Sequence, residues 1–266
     1  MKLLFSEATP DYSRYLYPYV VWAFLEPGET PADAFHSGFL PGSPDMDRFY
    51  LVRNLRLPLA EWRPSSENRR MLRKSDGIRA RLVPLSEFEM TEARRRRWLE
   101  FADQRFGHGV FPAERLARLL AGRVITHVLH FEEDGPDGHA RDVGSVLMHV
   151  SPPRLAYYYY AFYDLSEPSR NLGMALMTRA AEWFAGAGLG HLYLGTCVTP
   201  RARYKLQFSP MEFFNGMRWS RNMDELKHLL DTPGETRHRL DTPDFLDFQT
   251  SSPADMAAAS PFMTRP

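Results

Sequence analysis

The chain has 266 residues and a mass of 30.7 kDa, enough for one large domain or two small ones with a core that needs no disulfide or metal staple. Apolar residues make up 44%, charged residues 25% and aromatic residues 13%, which excludes a disordered, collagenous or coiled-coil chain. Lys plus Arg and Asp plus Glu are 33 each, and Cys197 is the single cysteine. A lone cysteine excludes an internal disulfide framework and a Cys-based zinc or iron–sulfur cluster, and it fits a reducing cytosol. The opening stretch Met1 to Glu7 has too short an apolar run for a secretory signal. Tyr15 to Leu25 is too short, and interrupted by Pro18, to span a membrane. The expectation is a soluble, cytoplasmic protein.

The zero net charge is not evenly distributed. Arg63 to Arg123 holds fifteen Lys/Arg and eight Asp/Glu, a local balance of +7, and the remainder carries −7. Arg63, Arg69, Arg70, Arg73 and Lys74 lead this stretch, and Arg94-Arg95-Arg96-Arg97 follows. Four consecutive arginines on a helix point in four directions, so they cannot all touch one ligand. Two basic clusters in one region still favour a polyanion more than either does alone.

In chain order, residues 1–62 are rich in proline and aromatics, with turns at Pro27-Gly28 and Pro41-Gly42. The alternation Leu51-Val52-Arg53-Asn54-Leu55-Arg56-Leu57 predicts a strand, imperfectly amphipathic. Ser65 or Ser66 caps a helix through Lys74. Helices are predicted over Thr91 to Phe106 and Pro112 to Gly122. Val124 to Phe131 and Val143 to Val150 read as a hairpin around an acidic loop, Glu132 to Asp142. Leu155 to Tyr163 is a third strand, in which four tyrosines form a mostly buried run. Leu172 to Ala187 carries a helical apolar stripe ended by Gly188 and Gly190, and His191 to Val198 is a fourth strand. From Asp231 the chain is proline-rich and reads as extended or mobile.

The turn from Asp164 to Ala175 joins a strand to a helix that begins near a glycine. Free N–H groups and the positive helix end suit an anion there, and glycine permits close approach. Arg170-x-x-Gly173-x-Ala175 matches the pyrophosphate-loop pattern of the GNAT acyltransferases, and the surrounding β-β-β-α-β order strengthens the match. After the fourth strand, Arg201 to Pro210 places polar and aromatic groups where α/β proteins often line a cleft.

Together, Tyr163-Asp164, Arg170-Asn171-Leu172-Gly173, His191-Leu192-Tyr193-Leu194-Gly195 and Arg203-Tyr204-Lys205-Leu206-Gln207-Phe208-Ser209-Pro210 resemble the C-terminal half of the arginyl-tRNA–protein transferases, above all their bacterial relatives, the aspartate/glutamate leucyltransferases. Upstream, Leu57-Pro58-Leu59-Ala60-Glu61-Trp62-Arg63-Pro64-Ser65-Ser66-Glu67-Asn68-Arg69-Arg70 is similar to that family's Val-Pro-Val-x-x-Phe-x-Pro-Ser-x-Ser-Gln-Arg-Arg block. The resemblance covers roughly residues 3–222. It departs at 47–54, where the family usually carries a cysteine cluster and this sequence has none, so any metal function of those cysteines is absent.

The resemblance implies an α/β (α+β), GNAT-like acyltransferase fold: a mostly antiparallel sheet with a crossover helix, plus an N-terminal packed subdomain. The expected divisions are a subdomain at 1–74, a transferase domain at 75–222 and a tail at 223–266. It implies transfer of an amino acid from aminoacyl-tRNA to a protein or peptide N-terminus, a modification of the N-end-rule kind. The ester is already activated, so no covalent enzyme intermediate is required; no cofactor, metal, membrane or DNA is expected. Tyr204, Lys205 and Asp164 are the candidate catalytic residues. Arg170, Leu172, Gly173, Arg203, Arg63, Arg69, Arg70, Gln207 and Phe208 are the candidate substrate- and tRNA-binding residues. Tyr204, Phe208 and Trp62 are candidates to stack on the single-stranded 3′ end. Two other readings stay open: acyl-CoA-dependent N-acyltransfer, which the Gly173 turn suits equally, and a non-catalytic relative that binds RNA or a partner.

Overall fold

A computed structural model describes residues 1–7, 12, 19–135, 138–231, 258 and 261. The chain runs β1 (Lys2–Glu7), β2 (Tyr19–Phe24), α1 (Pro31–His36), β3 (Phe39–Pro41), β4 (Phe49–Leu51), β5 (Asn54–Pro58), α2 (Ser66–Lys74), β6 (Arg79–Pro84), α3 (Glu92–Phe106), α4 (Ala113–Ala121), β7 (His127–Asp134), β8 (Ala140–Ser151), β9 (Leu155–Tyr163), α5 (Leu172–Gly186), β10 (His191–Thr196), β11 (Glu212–Phe214), β12 (Trp219–Ser220) and α6 (Met223–Asp231). Two compact units emerge. One comprises Met1–Arg56, Gly195–Leu206 and Pro210–Pro266; the other comprises Leu57–Leu194 and Gln207–Ser209. Most of the expected tail at 223–266 lies outside the described residues, but its first part, 223–231, is the helix α6 and not an extended segment.

In the second unit the strand order is β10-β9-β8-β7-β6. β6, β7, β8 and β9 pair antiparallel in turn, and β10 lies parallel to β9 with Tyr193 opposite Tyr157. The β9–α5–β10 crossover is therefore the one parallel connection in this run, as the sequence order β-β-β-α-β requires. The fold is mixed α/β with a mostly antiparallel sheet and a crossover helix, as expected.

The helices start where the sequence says they should. Ser65 accepts from the Asn68 N–H at 3.1 Å and Asn68 returns the bond, closing a capping box on α2. Thr91 accepts from the Arg94 N–H and caps α3. The buried face of α3, Trp98, Phe101 and Ala102, lies on β9. There the Trp98 ring stacks on Phe162 at 4.6 Å between centroids, nearly parallel at 6°.

The hairpin is longer than predicted. Glu132, Glu133 and Asp134 pair with Asp142, Arg141 and Ala140, so most of the expected acidic loop is ladder. The reason is charge pairing that a local reading does not see. Glu133 bonds Arg141 across the strands, and Asp134 takes Arg79 from β6 at 2.7 Å. Each tyrosine of β9 takes its alternate face, and Tyr157 and Tyr158 are buried while Tyr159 and Tyr160 are half-buried.

Gly144 on β8 is needed for strand packing. A Cβ there would lie 2.7 Å from the Phe162 carbonyl and 2.9 Å from both Leu176 and Tyr163. Gly144→Ala should destabilise the protein by about 1–3 kcal/mol, because the obstruction includes backbone that cannot turn aside. A urea titration of both forms checks this, and equal midpoints would show that the strands yield.

In the first unit β1-β2-β4-β3 form one antiparallel sheet, and β12-β11-β5 form a second run. Residues 1–56 do not make this unit alone, since β11, β12 and α6 complete it. The alternation predicted over 51–57 is broken at Val52-Arg53, and β5 is buried on both faces. Its polar residues find internal partners for their N–H groups, while the Asn54 Oδ1 is buried without one. Asn54 donates to the Gly38 carbonyl at 2.7 Å, and Arg56 donates to Glu212 at 2.6 Å with its guanidinium 3.9 Å above the Trp219 ring.

Candidate functional site

The predicted site residues divide between the two units. Arg203, Tyr204 and Lys205 belong to the first, on a 3₁₀ segment from Pro200 to Gln207. Lys205 is half-buried and its Nζ donates to the Thr196 carbonyl at 3.0 Å. Burial drives its ammonium pKa down to about 8, with the neighbouring Cys197 opposing that shift slightly; burial in turn raises the Cys197 thiol. Lys205 therefore titrates near physiological pH. Tyr204 is 47% exposed, with the Lys205 ammonium 5.9 Å from its ring centre. Arg203 pairs with Asp231 at the end of α6.

The remaining predicted residues lie in the second unit. Ser65 Oγ donates to the Gln207 carbonyl at 3.3 Å, so the block at the start of α2 and the Gln207-Phe208 segment are brought together. They are 142 residues apart in sequence. Gln207 Oε1 is buried and has no hydrogen-bond partner. Phe208 and Trp62 are core residues, at 2% and 4% exposure, so neither ring can stack on a nucleobase; of the three aromatic candidates, Tyr204 alone is exposed. Arg63 and Arg69 donate to the backbone carbonyls of Trp62 and Pro64, both at 2.7 Å, which orients their charge without cancelling it. Arg70 pairs with Glu67 through two bonds.

At the turn, Arg170 donates to both oxygens of Glu133, at 3.0 and 2.6 Å, and lies 3.7 Å from Glu167. Arg141 bonds the same two glutamates. The hydrogen bonds from Arg170, then those from Arg141, hold the Glu133 carboxylate below its ordinary pKa against the effect of burial. Two arginines and two glutamates make a neutral set, so the positive charge expected at this turn is compensated. Leu172 is 4% exposed and packs in the core. Gly173 has a different use from the one predicted: the space its Cβ would fill is taken by the Tyr163 hydroxyl, 2.5 Å away. The glycine makes room for a phenol rather than for a ligand.

Glu133→Gln should destabilise the protein by about 1–3 kcal/mol at pH 7, because Arg170 loses a bidentate carboxylate in a largely buried position. The folded pKa of Glu133 is depressed, so its contribution is full above the ordinary value of 4.5 and is lost as pH falls through the folded value. The gap between the two proteins should then narrow in acid. Chemical denaturation at pH 7 and at pH 3.5 measures it, and a constant gap would contradict the assignment.

Asp164 leaves β9 at the same turn. The Ser166 hydroxyl and its backbone N–H, at 2.8 Å, hold the Asp164 carboxyl below its ordinary pKa. Next to it a cavity of about 470 Å³ opens between α3 and the β8–β9 hairpin. Its wall includes Trp98, Phe101, Phe162 and Tyr163, and its carboxylates are Glu100, Asp142 and Asp164. Phe101 meets Tyr163 edge to face at 4.7 Å. Two members of the arginine run converge rather than diverge, since Arg94 and Arg97 reach the same Asp142 oxygen at 3.3 and 2.8 Å. Arg95 pairs with Glu92 and Arg96 faces solvent. Sequence reasoning missed this cavity, because residues from α3, β8 and β9 line it and no local motif joins them.

Behind it, His130 Nδ1 lies 2.9 Å from Ser145 Oγ and its Nε2 lies 3.1 Å from Glu132. The order Ser–His–Glu suggests a nucleophile with its base. Ser145 is fully buried and His130 is 2% exposed, so no substrate reaches them. Burial pushes the imidazole pKa down, and the group is a neutral structural link. Among the described residues no cluster of His, Cys, Asp and Glu could hold a metal ion, and no helix is long and apolar enough to cross a membrane.

The strand order and the crossover from β9 through α5 to β10 define a mixed α/β unit. The particular kinship comes from sequence. The chain is 26% identical over 178 residues to the aspartate/glutamate leucyltransferase of Stenotrophomonas maltophilia (strain R551-3), covering 65% of this chain and 70% of that protein. It is 26% identical over 188 residues to the enzyme of that name from Chromobacterium violaceum, covering 69% and 74%. Over a shorter stretch of 105 residues, 37% of this chain and 42% of the relative, it is 34% identical to that of Methylorubrum extorquens (strain PA1). The chain is thus a homologue of the aspartate/glutamate leucyltransferases, which are aminoacyl-transferring enzymes. No family model matches it. Among solved structures FemX aligns at a TM-score of 0.42 and 6% identity, covering 55% of this chain and 53% of FemX, a likeness too slight to carry weight.

Proposed function

We propose that the chain is an aminoacyltransferase that moves an amino acid from the 3′ end of an aminoacyl-tRNA to the α-amino group of a protein or peptide N-terminus. The observation that carries this reading is the match to leucyltransferases over 65% of the chain. The setting is the cytoplasm, and the consequence for the acceptor is a modification of the N-end-rule kind. A leucyl donor fits the relatives' name better than an arginyl one.

The chemistry is modest. The tRNA ester is already activated, so the protein must position the ester against a neutral amine and stabilise the oxyanion that forms. In this reading Lys205 donates to the ester carbonyl, and Tyr204 supplies the exposed ring for the 3′ end. Gln207 keeps a buried Oε1 with no hydrogen-bond partner, out of reach of a substrate where it stands. Arg63 and Arg69 keep uncompensated charge for the tRNA phosphates, with Arg70 and Arg203 beside carboxylates that weaken theirs. Asp164 is a poor proton acceptor, because its carboxyl is held low. It serves to hold an ammonium group, and Arg170 and Gly173 keep its turn in shape.

The acyl-CoA alternative needs an open cationic pocket for a pyrophosphate. The neutral Arg170–Glu133–Arg141–Glu167 set gives it little support. The test is a transfer assay with a panel of radiolabelled aminoacyl-tRNAs and peptides beginning with Asp, Glu, Lys or Arg, with acetyl-CoA in parallel. RNase-sensitive labelling of one peptide class is expected. Labelling from acetyl-CoA alone would overturn the reading, and tRNA retention without any transfer would favour a binding-only role.

A further inference from the structure

α6 lies beyond the span of the family resemblance, yet it packs into the unit that holds Lys205. Its start is fixed. Asn222 Oδ1 accepts from the Asp224 and Glu225 N–H groups, both at 3.1 Å, which caps the helix. Glu225, Leu226 and Leu230 are buried, and Glu225 Oε2 accepts from the Ser220 hydroxyl at 3.1 Å. The last turn of α6 therefore has a set place in the first unit.

The carbonyls of a helix's last turn have no partner within the helix. One of them, that of Leu229, accepts from Arg53 Nη1 at 3.2 Å. A cation there also suits the negative end of the helix dipole. Asp231 is set against the same dipole, and Arg203 pairs with it. Both arginines lead to the loop that carries the candidate donor. The Arg53 carbonyl accepts from the Cys197 N–H at 2.8 Å, which joins α6 to the residue after β10. Arg203 stands two residues before Lys205. The Lys205 Nζ, 3.0 Å from the Thr196 carbonyl, draws the two ends of the loop together. Residues 196–205 are thus fastened at both ends to the last turn of α6, and all of these groups lie in the first unit.

Burial works against the Arg53 guanidinium, and Cys197 and then Glu225 of α6 favour its charge. The Arg203–Asp231 pair is half exposed and contributes little alone, so Arg53 is the stronger tether. The loop needs such tethers. A 3₁₀ segment has poor hydrogen-bond geometry of its own, and a lysine ammonium on its flexible stem is strongly hydrated. We propose that α6 is the positioning element for Lys205: Arg53 and Asp231 hold the loop at 196–205 so that the ammonium keeps its half-buried place beside the Thr196 carbonyl. The inference rests on the reading of Lys205 as the donor to the ester, and it adds the residues that hold that donor in place. Arg53 and Asp231 act through Lys205. An oxyanion donor works only when preorganised, and a misplacement of about 1 Å costs on the order of 10²-fold in rate.

Two measurements test it, the first independent of catalysis. NMR of isotope-labelled lysine side chains follows the titration of Lys205, with Lys205→Met assigning its signal among those of Lys2, Lys74 and Lys227. The wild-type group should titrate near 8. Arg53→Met should move this up by about one unit or more toward the ordinary 10.5, because a released ammonium reaches water. Arg53→Lys, which can still donate to one carbonyl, should restore it. Asp231→Asn separates tethering from charge, since removing an anion by itself lowers a lysine pKa, whereas loosening the loop raises it. Asp231 is exposed, so this variant keeps the test open should Arg53→Met not fold. The second measurement is transfer of leucine from its tRNA. Arg53→Met should cut kcat about tenfold or more while KM for the tRNA changes less than about twofold, and Arg53→Lys should recover most of the rate. An unchanged titration in Arg53→Met, or a lower one in Asp231→Asn, would overturn the proposal. If the wild-type chain transfers leucine and Arg53→Met keeps its kcat, the proposal alone fails. If the wild-type chain transfers no amino acid from any tRNA, the functional reading fails, and the titration still decides whether α6 holds Lys205.

Discussion

Replacing Lys205 with Met should lower the transfer rate by about 10²–10³-fold, the range for losing one donor to a developing oxyanion. The pH profile carries the sharper test. The acceptor amine, with an ordinary pKa of about 7.7–8.0, gives the rising limb as it loses its proton. Lys205, with its pKa lowered to about 8, gives the falling limb as it loses its own. The wild-type profile should be a narrow bell centred near pH 8. Lys205→Arg, whose guanidinium stays charged, should keep part of the rate and lose the falling limb. The same residue affects stability in the opposite sense. Its folded pKa lies below the unfolded value of 10.5, so the unfolded chain binds more protons between these values and stability rises with pH from about 8 to 10.5. Below pH 8 the buried charge is a net burden, so Lys205→Met should stabilise the fold at pH 7 by about 1 kcal/mol after solvent screening. A less active and more stable variant would assign the strain to function. A variant that is less stable and correspondingly less active would make Lys205 structural.

Arg56→Met should destabilise the first unit by about 3–5 kcal/mol, because Glu212 is left buried with its nearest cation gone. Both side chains of the pair are about one-tenth exposed, and Arg56 Nε to Glu212 Oε2 is 2.6 Å. Arg221 also reaches Glu212, at 2.9 Å, but it is half exposed and compensates only in part. Burial raises the Glu212 pKa, and Arg56, then Arg221, overcome it, leaving the carboxyl below its ordinary 4.5. Its contribution is therefore present above 4.5 and lost as pH falls through the folded value. Without Arg56 the burial effect is less opposed, the pKa rises, and protonation in acid relieves the penalty. The stability difference should be largest near pH 7 and small below the ordinary carboxylate range. Arg56→Met combined with Glu212→Leu should recover most of the loss, since the one charge that then loses its partner, Arg221, is half exposed. Denaturant unfolding of the four proteins gives the coupling energy. Equal losses in the single and double variants would mean that packing on Trp219, 3.9 Å from the guanidinium, matters more than charge.

Where a segment's neighbours along the chain decide its state, the sequence was enough. α2 and α3 begin at Ser65 and Thr91 because those hydroxyls accept from the N–H three residues on, a bond the sequence spacing specifies. β9 occupies Leu155 to Tyr163 as read, since aromatic residues suit a pleated, half-buried strand, and α5 follows its apolar stripe from Leu172 to Gly186. The order of these elements was enough to give the mixed, mostly antiparallel sheet with its crossover helix, and the spaced motifs gave the kinship. Short or polar strands were not legible. β6 carries alternating arginines, and β11 and β12 are three and two residues long, so their state depends on the strand beside them. The uses of individual charges were hidden for the same reason. Arg170 is neutralised by Glu133, 37 residues away, and Asp142 gathers Arg94 and Arg97 from 48 and 45 residues away. Arg56 finds Glu212 across 156 residues. Local patterns fix helix caps and strand faces because backbone hydrogen bonding has short periods. The partner of a charge, and the walls of a cavity, follow from which distant segments pack together, and only the tertiary structure decides that.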